Sequence, residues 1–425
     1  MRRIFSVLLI SSLAVTGLSA QAPAPAAGQA GAPGALGAGR GGAPQGPQVV
    51  SPQVNADRTV TLRLLAPQAT AVTVTGEILN GGQSPVMTKG ADGVWTGTIG
   101  PLPVDIYTYG FSVDGVSTTD PRNPWIKLVS GTGLASQVQV VQGDALEYYD
   151  AKPVPHGLVQ IMTYESKSLG GAARQAYVYT PPGYHQGNTR YPVLYLLHGG
   201  GDLDPGWTLT GRANFIMDNL IAEKRSVPMI VVMPVGRGGG SLGIGPRGLL
   251  PGVASATGNM APGGGGAGRA GGAAPAPTAP AALGAFAQDF VNDLMPAVER
   301  TFRTRPGRES RAMAGLSAGG AATVNTVFSR PELFSHVVIM SAGAGQNVET
   351  LYPNFFGNNA AGAKQFKFVW VGAGDQDFAL NGSRALSESL TKAGVRHEFV
   401  VNEGYRHEWR LWRLHVTQFV PKLFR

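Results

Sequence analysis

One segment, Arg311 to Phe328, restricts the fold of this chain more than any other. It reads RAMAGLSAGGAATVNTVF, so a strand-forming run enters Gly315-Leu316-Ser317-Ala318-Gly319 and a helix-forming run follows. Glycine on both sides of the serine permits the close backbone approach that a sharp strand-to-helix turn requires. The segment therefore predicts a buried strand that ends in a tight turn, with Ser317 raised above the edge of a sheet.

The G-x-S-x-G pattern alone is a weak signal, because the chain contains 61 glycines among 425 residues. A second match, Gly239-Gly240-Ser241-Leu242-Gly243, lies in a glycine run with no strand before it and no helix after it. We interpret this second match as coincidental. A chemical role for Ser317 depends on whether its partners occur elsewhere in the sequence.

The first 47 residues predict an export signal and a leader. Residues 1–20 combine Arg2 and Arg3 with an apolar stretch and a small-residue cleavage site, which is typical of a signal peptide. The apolar stretch is too short for a stable membrane span. Residues 21–47 are rich in Ala, Gly and Pro, so we expect a disordered leader. We predict a secreted or periplasmic protein, with an uncleaved N-terminal anchor as the alternative.

Composition argues against several kinds of chemistry. The chain has no cysteine, which excludes disulfides, thiolate metal sites and cysteine nucleophiles. It also contains no H-E-x-x-H or comparable ligand cluster, so we expect neither a metal nor an organic cofactor. The formal net charge is +8, but no Lys/Arg run interleaved with aromatic residues is present. We therefore predict no nucleic-acid partner.

Residues 48–142 predict a small all-β sandwich. Short segments of alternating hydrophobicity are separated by turn signals such as Asp92-Gly93 and Asp114-Gly115. Trp95, Tyr109 and Trp125 either form a sugar-stacking platform or pack inward as core aromatics, and we favour the core interpretation.

Residues 151–425 predict an α/β domain with a doubly wound, mostly parallel sheet. Strand patterns alternate with helical patterns, and the runs 191–197 and 229–233 are apolar throughout, as in strands buried on both faces. A Gly/Ala/Pro tract at 236–284 interrupts the pattern before a helix predicted at 286–302. This insertion is too long for an ordinary connection, and we expect disorder in preference to an ordered lid.

A serine nucleophile needs a base, and the base needs an orienting acid. His407 lies in a glycine-punctuated loop before a helix, where an imidazole can project over the sheet. The other histidines after Ser317 fit packing or surface positions; they are His336, His397 and His415. The acid should follow a buried strand, and Asp375 and Asp377 both follow the run 369–374.

An oxyanion hole needs two backbone N–H groups. Ala318, directly after the serine, is one candidate donor. The second should come from the loop His198-Gly199-Gly200-Gly201, and we choose Gly200. We expect His198 to hold this loop in shape and not to act as a base.

Taken together, these stretches resemble the Putative esterase branch of the α/β-hydrolases, which contains esterase D, feruloyl esterases and carbohydrate esterase family 1. The resemblance rests on VYTPPGY, YPVLYLLHGGGDLDPGW, GLSAGG, VGAGDQDF and GYRHEWRLWRLHVTQFVPKLF. The stretches DGVWTGTIGPLP, YTYGFSVDG and DPRNPW resemble early-set, glycogen-binding-like modules that precede some such enzymes. In this family the acid usually ends a G-x-G-x-x-D segment, which implies Asp377 over Asp375.

The resemblance implies a secreted serine esterase with Ser317, Asp377 and His407 as catalytic residues. It implies acetyl or feruloyl esters of plant polysaccharide as substrates. Whether the N-terminal module also contacts glycan stays open at this point. One alternative is a siderophore trilactone esterase of the enterochelin type. An alternative of another class is a non-catalytic carbohydrate-binding surface protein.

Overall fold

The computed structural model describes residues 48–129, 133–236, 283–345, 348–360 and 366–425. The predicted signal peptide (1–20), the leader (21–47), most of the 236–284 insertion and the second G-x-S-x-G match lie outside these residues. The described residues belong to one compact unit.

The N-terminal β region, residues 53–140, contains two antiparallel sheets. One has the strand order β1-β2-β5-β4 and the other β3-β6-β9-β8, with β7 paired to β6. These strands are β1 Gln53–Val54, β2 Val60–Leu65, β3 Val72–Thr75, β4 Thr88–Lys89, β5 Val94–Ile99, β6 Asp105–Val113, β7 Val116–Thr118, β8 Ile126–Val129 and β9 Gly133–Val140.

Inward side chains of both sheets share one apolar core, because alternate residues of a strand point to the same face. That core includes Leu62 of β2, Val74 of β3 and Val138 of β9. The shared core supports the predicted β-sandwich, while its status as a separate domain with bounds 48–142 stays a prediction. Trp95 and Tyr109 are buried in this core, and Trp125 packs against Arg212 outside it. The three aromatics therefore form no common exposed platform.

The second part of the chain is built on an eight-stranded mixed sheet, ordered β10-β11-β13-β12-β14-β15-β16-β17. The six strands from β13 to β17 in that order are parallel, and β10 and β11 are antiparallel at one edge. The predicted mostly parallel sheet is thus confirmed. The strands are β10 Leu158–Ser166, β11 Ala172–Thr180, β12 Val193–Leu197, β13 Ile230–Pro234, β14 Arg311–Leu316, β15 His336–Met340, β16 Phe368–Gly374 and β17 Glu398–Asn402.

Helices cover both faces of this sheet. Alternate residues of β12 enter two different apolar clusters, Tyr195 in one and Leu196 in the other, so each face has its own core. The helices are α1 Gly206–Leu209, α2 Ala213–Ala222, α3 Ala285–Asp289, α4 Met295–Thr301, α5 Ala318–Ser329, α6 Val348–Leu351, α7 Pro353–Ala360, α8 Leu380–Lys392 and α9 Trp409–Phe419.

The helix predicted at 286–302 is interrupted in the structure. A π-helical turn, Phe290–Leu294, separates α3 from α4. Pro296 follows it and has no backbone N–H to donate, so the regular hydrogen-bond ladder cannot continue through this position.

Among the described residues, no helix has both the length and the apolarity that crossing a bilayer needs.

Candidate active site

Ser317 occupies a strained turn between β14 and α5. Its backbone angles are φ 51° and ψ −119°, a conformation that L-residues rarely adopt. The turn is fixed because the Ser317 amide donates to the Met340 carbonyl at 2.8 Å and α5 packs on the sheet. Strain held by its surroundings is typical of functional positions, and here it lifts the hydroxyl off the strand.

Three glycines make this turn sterically feasible. A Cβ at Gly315 would collide with the Gly319 backbone, and a Cβ at Gly319 would collide with the His198 carbonyl. A Cβ at Gly320 would press on Ala342. The glycines of the motif are therefore explained by close approach between β14, α5 and the end of β12.

The structure brings together three predicted site residues from distant points of the chain. The Ser317 hydroxyl lies 2.9 Å from His407 Nε2, and His407 Nδ1 lies 2.8 Å from Asp377 Oδ1. With Asp377 ionised, Nδ1–H donates to the carboxylate and Nε2 accepts from the serine hydroxyl. This arrangement can activate a hydroxyl as a nucleophile and stabilise the imidazolium that forms.

Asp377 is well placed to stay ionised. It is 5% exposed, and burial alone would raise its pKa. The hydrogen bond and charge of His407 and the amide of Ala379, which donates at 2.8 Å, more than offset burial, so its pKa lies below the ordinary value. The site thus holds a carboxylate, not a carboxylic acid, next to the imidazole.

Asp375, the alternative acid, has a different neighbour. Its Oδ1 accepts a hydrogen bond from the Gly404 amide at 2.8 Å, and its own amide donates to Asn402. It therefore stabilises the loop that leads to His407, whereas the carboxylate that bonds to the imidazole is that of Asp377.

The other histidines that follow Ser317 are engaged elsewhere. His336 is buried beside Ser335 and accepts from the Phe424 amide, and burial lowers its pKa to about 4. His415 is buried against Trp370, with its pKa lowered to about 3 by burial. His397 contacts Ser387 and the Val395 carbonyl.

His198 shapes the glycine loop after β12. It is buried; its Nδ1 donates to the Gly199 carbonyl at 2.8 Å and its Nε2 accepts from the Gly236 amide at 2.9 Å. Burial lowers its pKa, which favours the neutral form that this bonding pattern requires. His198 is thus a structural residue of the loop, as its position after an apolar strand predicted.

The predicted oxyanion donors lie beside the serine. Gly199 and Gly200 approach so closely that added Cβ atoms would contact Ser317 and Ala318. Ala318 is the first residue of α5, where a helix supplies no acceptor for the backbone N–H. Both segments that the sequence selected therefore lie next to the Ser317 turn, and their role as oxyanion donors stays a prediction.

Two aromatic neighbours of His407 were not identified from the sequence. The Phe378 ring lies at 4.0 Å between centroids with planes 33° apart, and Trp412 meets the imidazole edge-on at 5.0 Å. Phe378 is 81% exposed, whereas Trp412 is buried and donates to Ser341. Phe378 directly follows the candidate acid, which is the signal that could have indicated it.

The N-terminal β region also contacts this site, which the sequence did not predict. Lys127 of β8 forms an ion pair with Asp202 of the glycine loop, with Nζ and Oδ1 2.8 Å apart. Asp105 of β6 pairs with Arg413 of α9, the helix that follows His407. The two structural regions therefore meet at the site and not at a remote surface.

No cluster of three or more His, Asp or Glu side chains with metal-binding geometry occurs among the described residues.

Comparison with known proteins gives a consistent result. The model of the family described as "Putative esterase" matches residues 166–241 and 273–423. An endo-1,4-beta-xylanase/feruloyl esterase of Xylanibacter ruminicola is 31% identical over 384 residues, which cover 88% of this chain and 46% of that protein. The chain thus spans about half the length of this relative.

One solved structure shows the same fold. The enterobactin esterase of Shigella flexneri superimposes with a TM-score of 0.59 at 16% identity, covering 86% of this chain and 93% of that one. The feruloyl esterase module of Clostridium thermocellum gives a TM-score of 0.49 at 20% identity, covering 66% and 93%. The first likeness identifies the fold as that of the α/β-hydrolase esterases.

Proposed function

The chain belongs to the Putative esterase family, and on that basis we propose that it is a serine carboxylic-ester hydrolase that works through an acyl-enzyme. One observation carries the proposal: Ser317, His407 and Asp377 are joined by hydrogen bonds of 2.9 and 2.8 Å. These are the contacts that a serine nucleophile, its base and the orienting acid require.

In the first half-reaction, the Ser317 oxygen attacks the ester carbonyl while His407 Nε2 takes the hydroxyl proton. Asp377 stabilises the imidazolium, and the amides of Ala318 and Gly200 stabilise the oxyanion of the tetrahedral intermediate. The bond to the alcohol oxygen then breaks, and His407 returns the proton to that oxygen. The products of this step are a free alcohol and an acyl group esterified to Ser317.

In the second half-reaction, water replaces the alcohol. His407 takes a proton from the water as it attacks the acyl carbonyl, and the same two amides hold the oxyanion. The intermediate collapses, the proton returns to the Ser317 oxygen, and the carboxylic acid leaves. The reaction consumes one water per ester and needs no redox partner.

For the substrate, we propose feruloyl or acetyl esters of plant polysaccharide. Similarity to a protein named as a xylanase/feruloyl esterase supports this choice. Exposed Phe378 beside His407 supports the aromatic acyl group over acetyl, because an exposed ring offers a stacking surface at the reacting centre. The export pattern at 1–20 fits a polysaccharide substrate outside the cell.

A substrate panel tests this proposal. Methyl ferulate, acetylated xylan, p-nitrophenyl acetate and a siderophore trilactone are offered to the wild type, to Ser317→Ala and to Ser241→Ala. Ser241 belongs to the second G-x-S-x-G match and is the matched control. We expect Ser317→Ala to lose about 10⁴-fold or more in kcat and Ser241→Ala to keep wild-type turnover.

Other outcomes would change the assignment. Faster turnover of the trilactone than of methyl ferulate would favour the siderophore esterase. Binding of xylan without turnover of any ester would favour a carbohydrate-binding protein. Loss of activity in Ser241→Ala but not in Ser317→Ala would show that the nucleophile had been assigned to the wrong motif.

A further inference from the structure

We propose that Lys127 of the N-terminal β region is a positioning residue that holds the oxyanion loop of the esterase site through Asp202. This inference rests on the proposed function and adds to it a role for the β region. The β region then stabilises the reacting site itself, whether or not it also binds a glycan.

The ion pair between Lys127 and Asp202 is largely enclosed. The ammonium and the carboxylate oxygen are 2.8 Å apart, and the two side chains are only 12% and 6% exposed. An exposed pair of this kind contributes little, but removing one partner of an enclosed pair leaves a charge without compensation. The position of the carboxylate therefore depends on the ammonium.

Asp202 joins three parts of the molecule. Its Oδ1 accepts from Lys127 of β8 and also from Trp409 Nε1, at 3.3 Å. Trp409 is the first residue of α9 and follows His407 by two positions. The same carboxylate thus links the β region, the glycine loop and the segment that carries the candidate base.

The glycine loop transmits this contact to the serine. The Asp202 amide closes a turn by donating to the Gly199 carbonyl at 3.3 Å, so Gly200 and Gly201 lie inside that turn. Gly199 and Gly200 border Ser317 and Ala318. A shift of the Asp202 carboxylate would therefore move the Gly200 amide relative to the place where the oxyanion forms.

The expected kinetic effect follows from this geometry. Oxyanion contacts are stronger in the transition state than with the bound ester, so weakening them lowers kcat and leaves KM nearly unchanged. Complete loss of one donor lowers kcat by about 10²–10³-fold. An amide that is displaced but still present should cause a smaller loss of kcat. We therefore expect Lys127→Met to lower kcat by about 10- to 100-fold, and by the same factor for acetyl and feruloyl esters.

Lys89 provides a matched control in the same β region. Its ammonium donates to the Ala69 carbonyl at 3.1 Å and lies 5.7 Å from the centroid of the Trp95 ring, and both partners belong to the β region. Lys89→Met removes the same charge from the same part of the chain. We expect it to leave kcat and KM at wild-type values.

Three measurements on the full chain separate positioning from a general loss of structure. A boronic acid forms a tetrahedral adduct with the serine. Its affinity should fall in Lys127→Met by about the same factor as kcat/KM, whereas the affinity for ferulate should stay unchanged. Lys127→Arg should restore most of kcat. Amide hydrogen exchange in residues 198–204 should accelerate in Lys127→Met and stay at the wild-type rate in Lys89→Met.

The double variant Lys127→Met/Asp202→Asn tests the pair directly. Because the amide carries no charge, it should regain part of the activity lost in Lys127→Met, since the uncompensated carboxylate is gone. A folded Lys127→Met with wild-type kcat and unchanged exchange in 198–204 would overturn the inference and leave the esterase assignment intact. If the wild type turns over no ester, the proposed function fails, and the exchange rates still report whether Lys127 orders the loop.

Discussion

The exposed ring of Phe378 lies on the imidazole of His407, with 4.0 Å between ring centroids. Phe378 is 81% exposed at the edge of the candidate site, so its ring is open to contact by a bound molecule. The ring covers one side of the imidazole. For the proposed esterase, we expect this ring to contact the acyl group of the ester.

Replacing this ring should change selectivity. We expect Phe378→Ala to raise KM for methyl ferulate by about 10-fold, because an aromatic pair contributes about 0.5–1.5 kcal/mol beyond area burial. The effect on p-nitrophenyl acetate should stay within about threefold, and Phe378→Tyr should resemble the wild type. Steady-state kinetics with both esters test this. An equal rise in KM for both esters would mean that Phe378 positions His407 and does not select the acyl group.

The choice between the two acids can be tested by a matched pair of substitutions. Asp377→Asn should lower kcat by about 10⁴-fold, because an amide neither fixes the required tautomer of His407 nor stabilises its cation. Asp375→Asn should stay within about threefold of the wild type, because Asp375 accepts from the Gly404 amide and an amide oxygen can do the same. If Asp375→Asn instead caused the larger loss of kcat, Asp375 would be the acid that orients His407.

Two helix glycines should respond oppositely to alanine. At Gly319 of α5 a Cβ would meet the His198 carbonyl, so we expect Gly319→Ala to lower the free energy of unfolding by about 1–3 kcal/mol. At Gly382 of α8 a Cβ would lie at ordinary contact distance from its nearest neighbours. Gly382→Ala should therefore raise the free energy of unfolding by about 0.5–1 kcal/mol. Urea denaturation measures both, and a stable Gly319→Ala would contradict the packing described for the turn.

Acid should destabilise the fold through two buried histidines. Burial lowers the pKa of His336 to about 4 and that of His415 to about 3, both from an ordinary value of 6.5. As pH falls below 6.5, the unfolded chain binds protons that the folded chain does not, so the free energy of unfolding falls. Between pH 7 and pH 5 this should amount to about 2 kcal/mol for each histidine.

A substitution isolates one of these contributions. From pH 7 to pH 5, His336→Gln should lose about 2 kcal/mol less unfolding free energy than the wild type, because glutamine does not titrate. Denaturant titrations at the two pH values measure the difference. The same loss in both proteins would contradict the lowered pKa of His336.

Much of the site could be predicted from the sequence because its parts have local signals. Ser317 lies between a strand and a helix pattern, and His407 lies in a glycine-punctuated loop before a helix. The apolar runs 191–197 and 229–233 predicted strands buried on both faces, and β12 and β13 are buried over their whole length. Two aspartates, Asp375 and Asp377, follow β16. The local pattern could not decide which of them is the acid, and only the family resemblance favoured Asp377.

Contacts between distant segments had no such signal. Arg413 is fully buried and bonds to Asp105, which lies 308 positions earlier in the chain. In the sequence it is one of two arginines on an amphipathic helix, where solvent exposure is the usual outcome. Lys127 likewise appears as an ordinary strand residue. Both positions depend on how the β region packs on α9, which hydrophobic periodicity does not specify.

The central claim is that Ser317 becomes acylated, and the most direct measurement is the mass of the protein trapped during turnover. The wild type is mixed with an aryl ester, quenched in acid within milliseconds, digested and analysed by mass spectrometry. We predict an acyl group on the peptide that contains Ser317, and no such adduct in Ser317→Ala. Turnover at an undiminished rate by Ser317→Ala, or an acyl group found only on another residue, would contradict the account.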